Sequence, residues 1–211
     1  MARKITWQKP PDVSALSNIY FYPNRPTLVP PDPKNPLNPS SEYIDSLERS
    51  GKYVAERKWN GDNVLINTST LIVMNRHKAR MKYIPSDEMT EEFSKWPRNT
   101  VVNGELLHNK TVHIKNTLIV HCIMVWKGLP LFGKTWGDSR KLLETCPDGK
   151  HVKISEIFRH GFWGLFQEAD GKTVEGLVLK DPSGLLVFST TPIPDVSWML
   201  KIRKPSKKYS F

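Results

Sequence analysis

Cysteine is scarce: Cys122 and Cys146 are the only two in 211 residues. They are too few for a disulfide framework and lack the spacing of a metal knuckle, so neither is expected. Long apolar runs are absent too, and the N-terminus "MARKITWQKPPDV" places no apolar core behind its basic residues, so no membrane span or leader is expected. There is no repeat, and the only biased tract is rich in proline. Negative charge is also in short supply, with 21 Asp and Glu against 31 Lys and Arg, a formal net charge of +10. Such an excess suits a polyanionic partner or substrate. Together these features predict a soluble protein, cytoplasmic or otherwise inside a host cell, with no membrane partner.

Nine of the 17 prolines fall within residues 1–40. Proline fixes φ and removes a donor, so this stretch is expected to be an extended arm with no regular helix or sheet, ordered only where Tyr20, Phe21 and Tyr22 dock. Residues 41–211 are expected to form the folded domain. A short helix is predicted in "SSEYIDSLERSG", capped by Ser41 and stopped by Gly51. Further helices are predicted in "SDEMTEEFSKW", "DSRKLLETC" and "VKISEIFRHGF". Short runs rich in β-branched and aromatic residues read as strands: "YVAERKW", "NVLINTS", "TLIVMNR", "TVVNGELL", "TLIVHCIMVW", "EGLVLKD", "LLVFST" and "SWMLKIRK". Bounded by Gly, Asn, Asp and Pro turns, they predict an α+β fold with antiparallel sheets.

One stretch combines a strand end with a fixed charge. In "ERKWNGDNV", Lys58 stands two residues before Asn60-Gly61. Alone, it reads as an exposed residue before a hairpin turn. Further along, "VVNGELLH" places Glu105 at a strand end, "VEGLVLKD" opens with Glu175 and reaches Lys180, and "WMLKIRK" sets Lys201 and Arg203 on one face of a strand.

The order of these motifs resembles the covalent nucleotidyltransferase superfamily, to which the ATP-dependent DNA and RNA ligases and the mRNA capping enzymes belong. Lys58-Trp59-Asn60-Gly61 is similar to its first motif, Lys-x-Asp/Asn-Gly. Asn75-Arg76 resembles the Ser-Arg segment of DNA ligases, and Gly104-Glu105-Leu106 the third motif. "IVHCIMVWKG" looks like the strand that offers an aromatic ring to the base, Glu175 to Lys180 like the fourth motif, and Leu200 to Arg203 like the fifth. The resemblance runs from about residue 53 to 204, and five short motifs in register are a far stronger signal than any one. It implies two antiparallel β-sheets flanked by helices and forming a cleft.

The chemistry agrees with the resemblance. Attack on the α-phosphate of a nucleoside triphosphate needs an uncharged nucleophile, and a lysine amine serves where burial and neighbouring positive charge disfavour its ammonium form. Lys180, Lys201 and Arg203 supply such charge, with Mg2+ (or Mn2+) on the phosphates. The resemblance implies a phosphoamide between Lys58 and AMP, with ATP as the nucleotide. It also implies that Glu56 accepts from the adenine amino group, His121 stacks on the base, Glu105 holds the ribose, Glu175 holds the metal, and Arg76 touches ribose or the phosphate to be joined. Each has a plain alternative: a surface strand glutamate for Glu56, a core or surface histidine for His121, solvated strand ends for Glu105 and Glu175, and a basic nucleic-acid face for "NRHKARMK". Trp59, Trp126, Trp136 and Trp198 read as core residues.

Two departures from the family pattern bear on function. The chain ends a few residues beyond the fifth motif, so no C-terminal OB domain or sixth motif is expected; a minimal enzyme, a fragment, or a protein partner that supplies the clamp each fit. Second, Asn63 stands where DNA ligases place an arginine, which tilts the substrate toward RNA, while the path from "LIVMNR" to "VVNGELL" resembles DNA ligases. The expectation is a polynucleotide ligase acting on a nucleic acid with a 5′-phosphate end, RNA slightly favoured. A minimal DNA ligase, a capping-type guanylyltransferase, an adenylating enzyme with another acceptor and a non-catalytic nucleic-acid-binding protein are the alternatives.

Overall fold

A computed structural model describes residues 23–29, 39–187 and 195–204. Its architecture is α+β, with two sheets and four α-helices among the described residues. In chain order the strands are β1 (Pro26–Leu28), β2 (Val54–Trp59), β3 (Asp62–Asn67), β4 (Val73–Asn75), β5 (Val101–Leu107), β6 (Thr117–Trp126), β7 (Leu129–Pro130), β8 (Val152–Ile154), β9 (Val174–Lys180) and β10 (Val196–Arg203). The helices are α1 (Ser41–Arg49), α2 (Asp87–Ser94), α3 (Trp136–Leu143) and α4 (Phe162–Glu168). None is long and apolar enough to cross a membrane.

The smaller sheet runs β1-β10-β9-β2 and the larger β4-β3-β5-β6-β7, with β8 also pairing β6. Hairpins make most neighbours antiparallel, as expected, but two edge pairs are parallel: β1 with β10 and β8 with β6. Parallel neighbours need a long crossover, and strands of three residues leave no local pattern that announces one. The β1 pair also corrects the reading of residues 1–40 as free of regular structure. Pro26 opens an edge strand, where its missing N–H is tolerated, Thr27 Oγ1 donates to Val196 O at 3.0 Å, and Val29 N donates to Lys201 O at 3.0 Å. Tyr20, Phe21 and Tyr22 lie outside the described residues.

Helix signals behave unevenly. Ser86 caps α2 as expected; on α3 the cap is Thr135, in a capping box with Asp138, so the helix runs Trp136–Leu143 and starts two residues before the expected "DSRKLLETC". On α1 the cap is Ser40 rather than Ser41, with Ser40 Oγ accepting from Tyr43 N. "VKISEIFRHGF" is not a helix: Val152–Ile154 pair with β6, Phe158 exchanges two 2.8 Å backbone bonds with Ala55, and α4 starts only at Phe162. Its helical spacing of apolar residues arises because Ile154 and Ile157 fill one core and Phe158 another. Of "TLIVMNR", Val73–Asn75 alone are strand; of "LLVFST", Leu185 makes one bridge, to Thr135, and residues 188–190 lie outside the described set.

Two main cores result. One joins the larger sheet to α2 and α3 through Val64, Ile66, Phe93, Trp96, Val120 and Leu143; the other joins the smaller sheet to α1 and α4 through Ile44, Phe162, Phe166, Leu177 and Leu179. Strand β2 belongs to both, because alternation sends Val54 into the first and Ala55 into the second. Trp136 is buried in the first core and Trp126 and Trp198 pack against it, whereas Trp59 is half-buried. Trp59 lines a cavity of about 560 Å³ with Arg57, Arg140 and Cys146, which includes none of the candidate site residues.

Candidate active site

Alternation along β2 puts Glu56 and Lys58 on the face away from Ala55. Across the sheet Lys58 pairs with Gly176 and Gly176 with Arg203, while Glu56 pairs with Val178 and Val178 with Lys201. Cross-strand partners share a face, so lysine, glutamate, lysine and arginine gather around a patch with no bulky side chain at Gly176. Glycine is required there. Its φ is +148°, and a Cβ would lie 2.1 Å from Ile202 O.

The pairing slips between Lys58 and Trp59, which face Gly176 and Val174, and leaves Glu175 as the extra residue of a β-bulge. A bulge re-aims a side chain that alternation would send the other way. Glu175 thereby meets Lys58: its Oε2 accepts from Lys58 Nζ and lies 3.3 Å from Arg203 Nη2. The side chains of Lys58 and Glu175 are 15% and 18% exposed, so the amine is sheltered yet reachable.

A second slip gives His121 a similar placement. On β6, Cys122 faces Asn103 and Val120 faces Gly104, so His121 is the extra residue. Its Nδ1 lies 3.6 Å from Glu56 Oε2, which also accepts from Lys180 Nζ at 2.7 Å. Lys180 in turn sits 4.9 Å from the centre of the Trp136 ring. Burial pushes the Glu56 carboxyl up, but the Lys180 ammonium and the His121 contact outweigh it and hold it at about 2. The other oxygen, Oε1, is buried with no partner among the described residues. A fully buried, ionised acceptor left open is costly in isolation and is suited to a ligand donor.

The remaining candidates divide. Glu105 Oε1 accepts from Gly61 N at 3.0 Å, at the turn that follows Lys58. Lys201 is 3.6 Å from Asp195, and its amine is pushed down by burial, an effect that Asp195 opposes and Arg203 reinforces. Arg76 stands apart: it is exposed beyond β4, and its Nε donates to the ring of His77 at 3.2 Å. Two contributors were not singled out from sequence. Trp136 reads only as core, and Asp195 carries no signal beyond a carboxylate near prolines.

No protein-family model matches the chain, and no curated protein matches it. Solved structures do. The ligase domain of LigD from M. tuberculosis aligns with a TM-score of 0.60 at 15% identity, over 86% of this chain and 59% of that one. The chain has the fold of a ligase nucleotidyltransferase domain. A mycobacterial DNA ligase D complexed with ATP and MES aligns at 0.52 and 16% identity over 85% of this chain and 60% of that one, and a Lig E DNA ligase at 0.51 and 12% over 72% and 62%. The chain thus spans about three fifths of the length of each. In this fold, Lys58 is the penultimate residue of the strand that leads from the smaller sheet to the larger, and the two bulges turn Glu175 and His121 toward that strand.

Proposed function

We propose that the protein is an ATP-dependent polynucleotide ligase, or its adenylating part, with Lys58 as the nucleophile. The observation that carries this reading is the Lys58–Glu175–Arg203 cluster, which stands beside a buried carboxylate with an open acceptor oxygen. In the first step Lys58 Nζ, having lost a proton, bonds to the α-phosphorus of ATP as the bond to the β-phosphate oxygen breaks, releasing pyrophosphate. The terminal phosphate of a 5′ end then attacks that phosphorus and frees the lysine. Finally a 3′-hydroxyl attacks the activated 5′-phosphate and AMP leaves. Each step is an in-line phosphoryl transfer that depends on positioning and charge neutralisation.

The residues present fit the nucleotide. Glu56 Oε1 accepts from the 6-amino group of adenine, where guanine carries a carbonyl oxygen that cannot donate, which favours ATP over GTP. His121 stacks on the base, Glu105 takes the ribose, and Lys201 and Arg203 take the phosphates; Lys180, expected there too, is instead buried against Glu56, and Arg76 is left for the end to be joined. Glu175, whose carboxylate projects beside the amine, is the residue that would hold a hard cation together with substrate oxygens. When bound, Mg2+ (or Mn2+) neutralises phosphate charge.

A polynucleotide acceptor is supported by the acid-free stretches around the site. Residues 63–86 contain no Asp or Glu but hold Arg76, Lys78, Arg80 and Lys82, and residues 106–137 contain none either. Because Val64 pairs with Asn75 and Asp62 with Leu106, the turn after β4 and the loop after β5 share the end of the sheet that carries the Lys58 turn. Asn63 tilts the acceptor toward RNA; its Oδ1 accepts from Asn103 Nδ2 at 3.1 Å. The neighbouring DNA ligase folds favour DNA as the second reading.

Incubation with Mg2+ and α-labelled ATP is expected to leave acid-labile label on the protein, abolished by Lys58→Ala, with ATP preferred over GTP. Retention of label by Lys58→Ala overturns the assignment. Sealing rates on nicked DNA, nicked RNA and single-stranded RNA then separate the two acceptors.

A further inference from the structure

The turn that follows Lys58 is fastened to both sheets. Asn60 N donates to Thr173 O at 2.9 Å and Asn60 Nδ2 to Lys172 O at 2.7 Å, which ties the turn to the approach to β9. Gly61 N is held by Glu105 on β5, and a Cβ on Gly61 would lie 2.5 Å from Leu106 O, so the turn lies flush against that strand. On the remaining side, Lys110 Nζ donates to Gly61 O at 2.5 Å and lies 2.9 Å from Asp62 Oδ1. Lys110 belongs to none of the motifs above.

Its loop, residues 108–116, is itself closed. Lys115 Nζ donates to His108 O and Thr111 O, each at 2.5 Å, Thr111 Oγ1 donates to Ile114 O, and the Tyr83 hydroxyl reaches Asn116 Oδ1 at 3.4 Å. The Lys110 side chain is 48% exposed, and an exposed lysine ordinarily leaves its ammonium in water. Here the ammonium instead makes a charge-assisted bond to a backbone carbonyl three residues past Lys58.

We propose that Lys110 is a positioning residue for Lys58, fixing the carbonyl side of the Asn60-Gly61-Asp62 turn so that the amine meets the α-phosphorus in line; this rests on Lys58 being the nucleophile. Lys110 acts through the turn, by its bonds to Gly61 O and Asp62, rather than on the nucleotide. Removing it frees the Gly61–Asp62 peptide on its open side while Asn60 and Glu105 keep their bonds, so the turn persists but rocks. In-line transfer tolerates little displacement, and a misplacement near 1 Å costs about a hundredfold in rate. A partial loosening is therefore expected to act on the rate and not on nucleotide affinity.

Rapid-quench measurement of lysine adenylylation against ATP concentration tests this with wild type, Lys110→Met, Lys110→Arg and Asp62→Ala. Lys110→Met is expected to slow adenylylation at saturating ATP by about tenfold, with half-saturation changed less than about twofold. Lys110→Arg, which keeps the charge and donors, is expected to recover most of the rate. Asp62→Ala, which loosens the same tether while leaving Lys110 in place, is expected to lose about two- to threefold. An unchanged rate in both Lys110→Met and Asp62→Ala overturns the proposal. So does a shift in half-saturation with an intact rate, which makes Lys110 a nucleotide contact, or normal adenylylation with slowed sealing from the preformed adenylate, which makes it a polynucleotide contact. A wild type that takes no label defeats the ligase reading and this inference with it; a labelled wild type with an unaffected Lys110→Met defeats the inference alone.

Discussion

Glu56 and Lys180 are each nearly sealed from solvent, with side chains 2% and 5% exposed. A buried ion pair contributes little net stability, but removing one partner leaves an uncompensated charge and costs about 3–5 kcal/mol. Glu56→Gln is therefore expected to lower stability by about that amount in urea, and Glu56→Gln with Lys180→Met to recover most of it. The pH dependence has a definite sign. The Glu56 carboxyl is at about 2 in the fold against a reference of 4.5, so its contribution is full above 4.5 and is lost as pH falls through about 2. Acid titration of stability is expected to be shallower below 4.5 in Glu56→Gln than in wild type; equal slopes would show that Lys180 does not hold this carboxylate ionised.

At the scale of elements, the two bulges shape the site. Gly176 is the hinge of one, with a φ of +148° and Ile202 O in the space a Cβ would take. Gly176→Ala is expected to destabilise the protein by about 2–3 kcal/mol through backbone strain and to cost most of the adenylylation rate, because Glu175 and Arg203 lose their register against Lys58. Calorimetry and labelling on the same sample check both effects. A variant of wild-type stability would show that the strand can shift to admit the methyl. Helix α2 offers a control at a distance: Phe93 is 1% exposed in the first core, and Phe93→Ala is expected to cost about 3–5 kcal/mol while leaving the adenylylation rate of the folded fraction unchanged.

On the scale of the whole molecule, β2 couples the two cores through Val54 and Ala55. Neither sheet can open without exposing a face of this strand, so urea unfolding is expected to be one transition. Far-UV circular dichroism should coincide with tryptophan fluorescence, which reports on Trp96 and Trp136 in the first core and Trp163 beside the second. Separate midpoints would show that the sheets unfold independently. The same coupling bears on the proposed function, since the Lys58 turn joins the sheets and each sheet supplies part of the candidate site: Glu175, Lys180 and Arg203 from one, Glu105 and His121 from the other.

The sequence by itself determined what is local or periodic. A period of two fixes Glu56 with Lys58, and Lys201 with Arg203, on shared faces whatever else the chain does. Turn residues and caps likewise set the hairpins and the start of α2, and the order of motifs made the fold legible before any coordinates. The tertiary structure decided whatever depends on register. The slips at Glu175 and His121 reverse the facing that alternation implies; Gly176 inside a strand is the one local hint of the first, and nothing in "VHC" announces the second. Lys180 meets Glu56 across 124 positions of sequence, Arg76 stays at the sheet edge, and Lys110 finds the turn from a separate loop. The misread "VKISEIFRHGF" has the same origin: its apolar residues are divided between two cores, and only the packing of the two sheets shows which core each one fills.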